Sequence, residues 1–153
     1  MNTYSPQSEG KMSTCHEDIQ KVFRAVLTVF DHTIECGERG RADQDKAVAE
    51  KRSKTPWPRS KHNVVPPKTK SDAVDAMPYP YSWADLEGKN GTAQKLMAMC
   101  RCYMFIGYVL GVSDEMYKRK EITAPLRSGS DWDGDKNISE ETFIDLPHFE
   151  RRI

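Results

Sequence analysis

Asp145-Leu146-Pro147-His148-Phe149-Glu150 and, far upstream, Ser60-Lys61-His62 running through a Pro/Lys loop to Ala73-Val74-Asp75 are the stretches whose reading decides the fold. Together they offer two histidines and a carboxylate, with a second carboxylate, Asp145, three residues before the last histidine. A catalytic zinc takes three protein ligands and leaves its fourth position open. Two neutral imidazoles and one carboxylate leave such an ion net positive, so that a water in the open position ionises near neutrality. His62, Asp75 and His148 are therefore the expected metal ligands. Hydrolysis also needs a base that is not itself a ligand, and Asp145 is placed to serve. An Asx turn or a cap before Leu146-Pro147 would call for the same residue type. On a strand, Glu150 shares the face of His148, where it would hold the imidazole ring from behind. The other two histidines read more simply, His16 as a cap at a helix start and His32 as a charge after the first helix.

Working outward, a helix starts near His16-Glu17-Asp18, where acidic residues suit a helix N-terminus. Ile19, Val22, Phe23, Val26, Leu27 and Phe30 give it one apolar face. Residues 1–14 carry Ser, Pro, Gly and Lys without periodicity, an irregular lead-in to a single domain spanning 15–153. Thr33 to Cys36 reads as a strand, Arg39 to Arg52 as a polar surface helix, and Asp72 to Met77 as a strand stopped by Pro78 and Pro80. Prolines on both sides of His62 place it in an ordered loop.

Thr92 to Tyr117 is the longest helical stretch. Its apolar run from Leu96 to Leu110 is shorter than the ~20 residues of a membrane span and contains Arg101. It reads as a buried core helix, with Cys100 and Cys102 as small buried hydrophobes rather than metal ligands. Glu121 to Arg127 and His148-Phe149-Glu150 read as strands on either side of a Gly/Asp/Ser loop. Two or three helices with short, non-alternating strands define a small α+β domain with an antiparallel sheet.

Composition narrows the classes. With 153 residues the chain can bury a real core, and Lys+Arg and Asp+Glu balance at 23 each. No global field recruits nucleic acid or an anionic membrane. Four cysteines are too few for a disulfide scaffold, and the polar start Met1-Asn2-Thr3-Tyr4-Ser5-Pro6 lacks the apolar core of a secretion signal.

Ser60-x-His62, Ala73-Val74-Asp75 and Asp145-Leu-Pro-His148-Phe-Glu resemble the LAS-type zinc peptidases. That family includes D-Ala-D-Ala carboxypeptidases and phage L-alanyl-D-glutamate endopeptidases, with hedgehog proteins as distant relatives. Cys15 to Val22 is similar to the family's first helix, and Gly37-Glu38-Arg39 with Gln44 to its Gly-x-Arg-x4-Gln element. Ser130-Asp131-Trp132-Asp133-Gly134-Asp135 resembles a stretch found before the last histidine in phage cell-wall peptidases. The likeness covers roughly residues 15 to 150. It implies zinc on His62, Asp75 and His148, with Asp145 as base. Arg39 would bind substrate and stabilise the oxyanion, while Ser60 and Trp132 would lie at the substrate. Two departures stand out. Twelve residues, Asn63 to Val74, separate His62 from Asp75, and Ser71 replaces a usual glycine. Arg127-Ser128-Gly129 stands where a Trp-Gly is usual.

Asp131, Asp133, Asp135 and Asn137 alternate oxygen ligands as a calcium loop does, but the diagnostic glycine and closing glutamate fall at Lys136 and Thr142. An acidic loop facing substrate or solvent is the preferred reading, with calcium as the alternative. The resemblance implies a monomeric phage endolysin that cuts a peptidoglycan stem peptide, at L-Ala–D-Glu. It would stay in the host cytoplasm until a holin-type partner opens the way to the wall. A D,D-carboxypeptidase and a non-catalytic zinc-binding protein on the same fold are the alternatives. Asp145 discriminates against the last, because a pure binder needs no unliganded carboxylate beside the metal.

Overall fold

Val74 and Phe149 face each other across neighbouring antiparallel strands, and Asp75 and His148 are the next pair along on the opposite face. This alternation gives the sheet one apolar and one polar side. A computed structural model describes residues 2–153. The elements are α1 (Pro6–Met12), α2 (Glu17–Leu27), β1 (His32–Cys36), α3 (Arg41–Ala49), β2 (Ala73–Pro78), α4 (Trp83–Leu86), α5 (Thr92–Lys118), β3 (Leu126–Gly129) and β4 (Asp145–Arg151). The strands form one antiparallel sheet in the order β1-β2-β4-β3. The α+β class with an antiparallel sheet is as expected.

The apolar face carries Ile34, Val74, Ala76 and Phe149, and it packs on Ile19, Val22, Phe23 and Val26 of α2 and on Phe105, Ile106 and Val109 of α5. Phe149 is fully buried, with ring centroids 5.3 Å from Phe23 and 5.9 Å from Phe105 in edge-on geometry. Its burial alone contributes about 2–3 kcal/mol. Asp18 ties three segments together. Its carboxylate accepts from the Thr123 amide (3.0 Å) and hydroxyl (2.7 Å) and from Arg151 Nε (3.0 Å).

Four local readings are corrected. The N-terminal lead-in is not irregular throughout: among the described residues Ser5 caps α1 by accepting from the Ser8 amide, Pro6 occupies its first turn, and Met12 is fully buried. The helix is short and lacks a long apolar period, so tertiary contact rather than periodicity specifies it. His32 is not a terminal charge but a buried member of β1. Its Nε2 lies 2.6 Å from the Tyr4 hydroxyl, and burial lowers its pKa. Helix α5, at 27 residues, is long and apolar enough to cross a membrane by length and composition. Only one face of it is core, since Leu96, Met97, Met104 and Tyr108 are exposed. For the same reason Cys102 is buried while Cys100 is exposed.

Candidate metal centre

The polar face of the sheet is where the separated motifs meet. Asp75 and His148 are direct cross-strand partners on β2 and β4. His62 reaches them from a loop whose geometry is set locally. Its amide donates to Ser60 Oγ (3.3 Å), and Asn63 Oδ1 accepts from the Ser60 amide (3.1 Å). The Asn63 side chain donates to the Arg39 carbonyl (2.9 Å), while the Arg39 amide donates to the His62 carbonyl (3.0 Å). The long Pro/Lys insertion does not separate His62 from Asp75, because it is closed at its base. The Asp72 amide donates to Lys61 O (3.0 Å), and Lys68 Nζ donates to the same carbonyl (2.9 Å). The extra residues loop outward, at an entropic cost that grows slowly with loop length.

His62 Nε2 lies 3.0 Å from Asp75 Oδ1 and 3.2 Å from His148 Nδ1, and the last two are 3.2 Å apart. A tetrahedral zinc with bonds near 2.0–2.1 Å spaces its ligand atoms ~3.3 Å apart, so this triangle matches one face of such a site. The protonation pattern fits as well. His62 Nδ1 lies 2.7 Å from the Gly37 carbonyl, which can only accept. His148 Nε2 lies 3.0 Å from Glu150 Oε2, while Glu150 Oε1 takes Arg127 Nε (2.9 Å) and Nη2 (2.6 Å). Both rings are therefore held with an N–H on the outer nitrogen, so that once the inner proton is displaced each would turn a lone pair inward beside a carboxylate oxygen. Three converging acceptors require a cation or protons between them.

The charges say the same. Burial alone would lower the pKa of His62, but the Asp75 carboxylate outweighs it and raises it. Asp75 is likewise opposed by burial, yet His62 and His148 hold its pKa far below the carboxylate range. Burial disfavours charge on Glu150 too, but His148 and Arg127 bring its pKa down to about 2. Arg39 Nη2 binds the outer oxygen, Oδ2, of Asp75 at 3.0 Å, which leaves Oδ1 for the centre. Asp145 differs from all of these. Burial, then the Asp75 charge, raises its pKa.

A cleft of about 990 Å³ opens over this centre, with Asp145, Ser60 and Trp132 in its wall. Trp132 lies 5.3 Å from the His148 ring and stacks on Phe143 at 6.2 Å, with its indole N–H bound to Phe143 O (2.7 Å). The lining also includes Arg52, Lys54, Arg59 and Lys61, a locally cationic stretch of rim in a chain of zero net charge, with Glu35 and Glu87 elsewhere in the lining. Gly37, Arg127 and Phe143 contribute to the site in ways that motif reading did not assign. Gly37 acts through its carbonyl and leaves no side-chain signal, and Arg127 stood out only as a departure from a usual Trp-Gly. Asp131, Asp133 and Asp135 do bring carboxylate oxygens within 4.8 Å of one another. The loop's own amides occupy them: Gly134 and Lys136 donate to Asp131, Asp135 to Asp133, and Asn137 to Asp135.

A Cβ at Gly129 would meet Asp145 O at 2.5 Å, Asp145 Cβ at 2.9 Å and His148 Cβ at 3.1 Å. Gly129→Ala is expected to push the start of β4 away from β3, at a cost of about 1–3 kcal/mol read from thermal unfolding, and to weaken metal binding. Unchanged stability and metal affinity would show that this close approach is not required.

The sheet, its covering helices and the loops above the polar face define a fold shared with a solved peptidase structure. The chain is similar to the crystal structure of the L-Ala D-Glu endopeptidase ChiX of Serratia marcescens. The TM-score is 0.63 over 97% of this chain and 88% of that one, at 20% sequence identity. No protein-family model matches the sequence, and no curated protein matches it. The likeness therefore lies in the fold.

Proposed function

We propose that this chain is a zinc-dependent peptidoglycan peptidase that hydrolyses the L-Ala–D-Glu bond of the stem peptide, acting as a phage endolysin. The observation that carries the reading is the triangle of His62, Asp75 and His148, with both outer ring nitrogens fixed and an unliganded Asp145 beside it in a cleft. The fold shared with an L-Ala D-Glu endopeptidase supports the choice of substrate, as does the cationic rim, which suits a peptide bearing D-Glu carboxylates.

When bound, zinc supplies a Lewis acid for the scissile carbonyl and lowers the pKa of the attacking water. Asp145 takes the proton that this water loses as its oxygen bonds to the carbonyl carbon. It then delivers that proton to the alaninyl-glutamate nitrogen as the C–N bond breaks. Its raised pKa suits a group that must both accept and return a proton. Arg39 holds Asp75 through Oδ2 and offers the rest of its guanidinium to the charge developing on the carbonyl oxygen, a contribution of about 3 kcal/mol. Trp132 supplies an aromatic wall for the stem peptide. Glu150 and the Gly37 carbonyl keep both rings in the ligating tautomer.

The enzyme acts as a monomer and reaches the wall from the host cytoplasm once a separate holin-type partner has permeabilised the membrane. Purified peptidoglycan incubated with the zinc-loaded protein should release peptides whose masses and new termini place the cut between L-Ala and D-Glu. Release of free D-Ala instead would convert the reading to a D,D-carboxypeptidase, and no release would leave a zinc-binding protein.

A further inference from the structure

Strand β1 carries a bulge between Ile34 and Cys36, and its consequence reaches the metal centre. Ile34 pairs with Ala76 on the core face, while Cys36 pairs with Asp75, which in turn pairs with His148. The extra residue therefore turns Cys36 onto the polar face. Cys36, Asp75 and His148 stand in one row across three neighbouring strands. Cys36 sulfur, a ring nitrogen of His62 and a carboxylate oxygen of Asp75 all lie within 4.8 Å of one another. The thiol is half-buried and forms no disulfide, and it makes a weak contact to the Gly37 carbonyl at 3.6 Å.

We propose that Cys36 is a fourth protein donor to this centre, so that the metal rests in a closed set of one thiolate, two imidazoles and one carboxylate. The inference rests on the zinc reading given above. It adds a soft donor to a borderline site and predicts a preference for thiophilic divalent cations. On binding, the Cys36 S–H loses its proton to solvent and the sulfur bonds to the metal. For hydrolysis this sulfur must leave again, which makes the closed state a resting state that substrate opens. A closed four-donor set leaves no position for water, whereas catalysis needs an open one.

Cobalt(II) loading tests this, because a cobalt–thiolate bond produces a charge-transfer band in the near ultraviolet that imidazole and carboxylate donors do not. The wild-type protein should show that band together with visible d–d bands. Cys36→Ala should lose the first and keep the second, and Cys36→Ser, which preserves size and polarity, serves if the alanine variant folds poorly. The other cysteines remain in both variants, so loss of the band assigns it to Cys36. Cadmium affinity should fall more than zinc affinity in the variants. Cobalt bound by wild type with d–d bands alone, or a near-ultraviolet band unchanged in the variants, overturns the role of Cys36 and leaves the three-donor centre intact. A wild-type protein that binds no cobalt overturns both.

Discussion

Asp145→Ala is expected to keep about one zinc per chain and to lose peptidoglycan hydrolysis by ~10²–10⁴-fold, the range for removal of a general base. Both halves of this outcome follow from position. Asp145 lies in the cleft wall, but the triangle is closed by His62, Asp75 and His148 without it. Burial and then the neighbouring Asp75 charge raise its pKa, so its base form is lost as pH falls through a value above the ordinary ~3.9 of an aspartate. The wild-type rate should accordingly fall on the acid side with that higher apparent pKa, and Asp145→Asn should abolish the titration while preserving shape. The measurements are metal content after dialysis and the rate of peptide release from purified walls across pH. Full activity in Asp145→Ala would sink the proposed base.

His62→Ala should have the other large effect, on the metal itself. Structural zinc sites contribute ~10–16 kcal/mol of binding free energy, and one of three donors lost corresponds to roughly 4 kcal/mol, or about 10³-fold in affinity. The wild-type site should also show a steep pH dependence whose sign the charges fix. In the metal-free protein the Asp75 carboxylate, working against burial, raises the pKa of His62, so this ring carries a proton at neutral pH. Metal must displace that proton. Zinc affinity should therefore rise with pH through the neutral range, by about tenfold per unit for each proton displaced, and fall toward acid. Competition with a chromophoric chelator at several pH values reads both effects. An affinity that is flat with pH, or unchanged in His62→Ala, would remove His62 from the centre.

Much of the site could be read in advance because its chemistry demands rare residue types in restricted settings. Only four histidines occur in the chain, and the two flanked by prolines and carboxylates are the two whose nitrogens meet. Strand alternation likewise places Glu150 on the face of His148, and the structure has them 3.0 Å apart. What escaped reading was carried by the backbone or by packing. The Gly37 carbonyl fixes a tautomer with no side chain to announce it. Helix α1 has too few turns to show a period, and its place is set by Met12 in the core and by Ser8 Oγ, which accepts from the Ile34 amide at 3.2 Å. Helix α5 is apolar around most of its circumference, so composition did not tell which face the core would take.

By itself, the sequence determined the α+β class, the antiparallel sheet and the identity of the converging donors, since period, proline placement and donor chemistry are local properties. The tertiary structure decided three further things. It closed the Asn63–Val74 insertion at Lys61 O and Asp72 N, so that its length no longer separates His62 from Asp75. It brought the basic run Arg52, Lys54, Arg59 and Lys61 into the lining of the cleft over residues that lie far away in the chain. And it turned Cys36 toward the centre through a single bulge. Each depends on contacts between residues distant in sequence, and a one-residue shift of register, invisible in composition, is enough to move a side chain from one face of a sheet to the other.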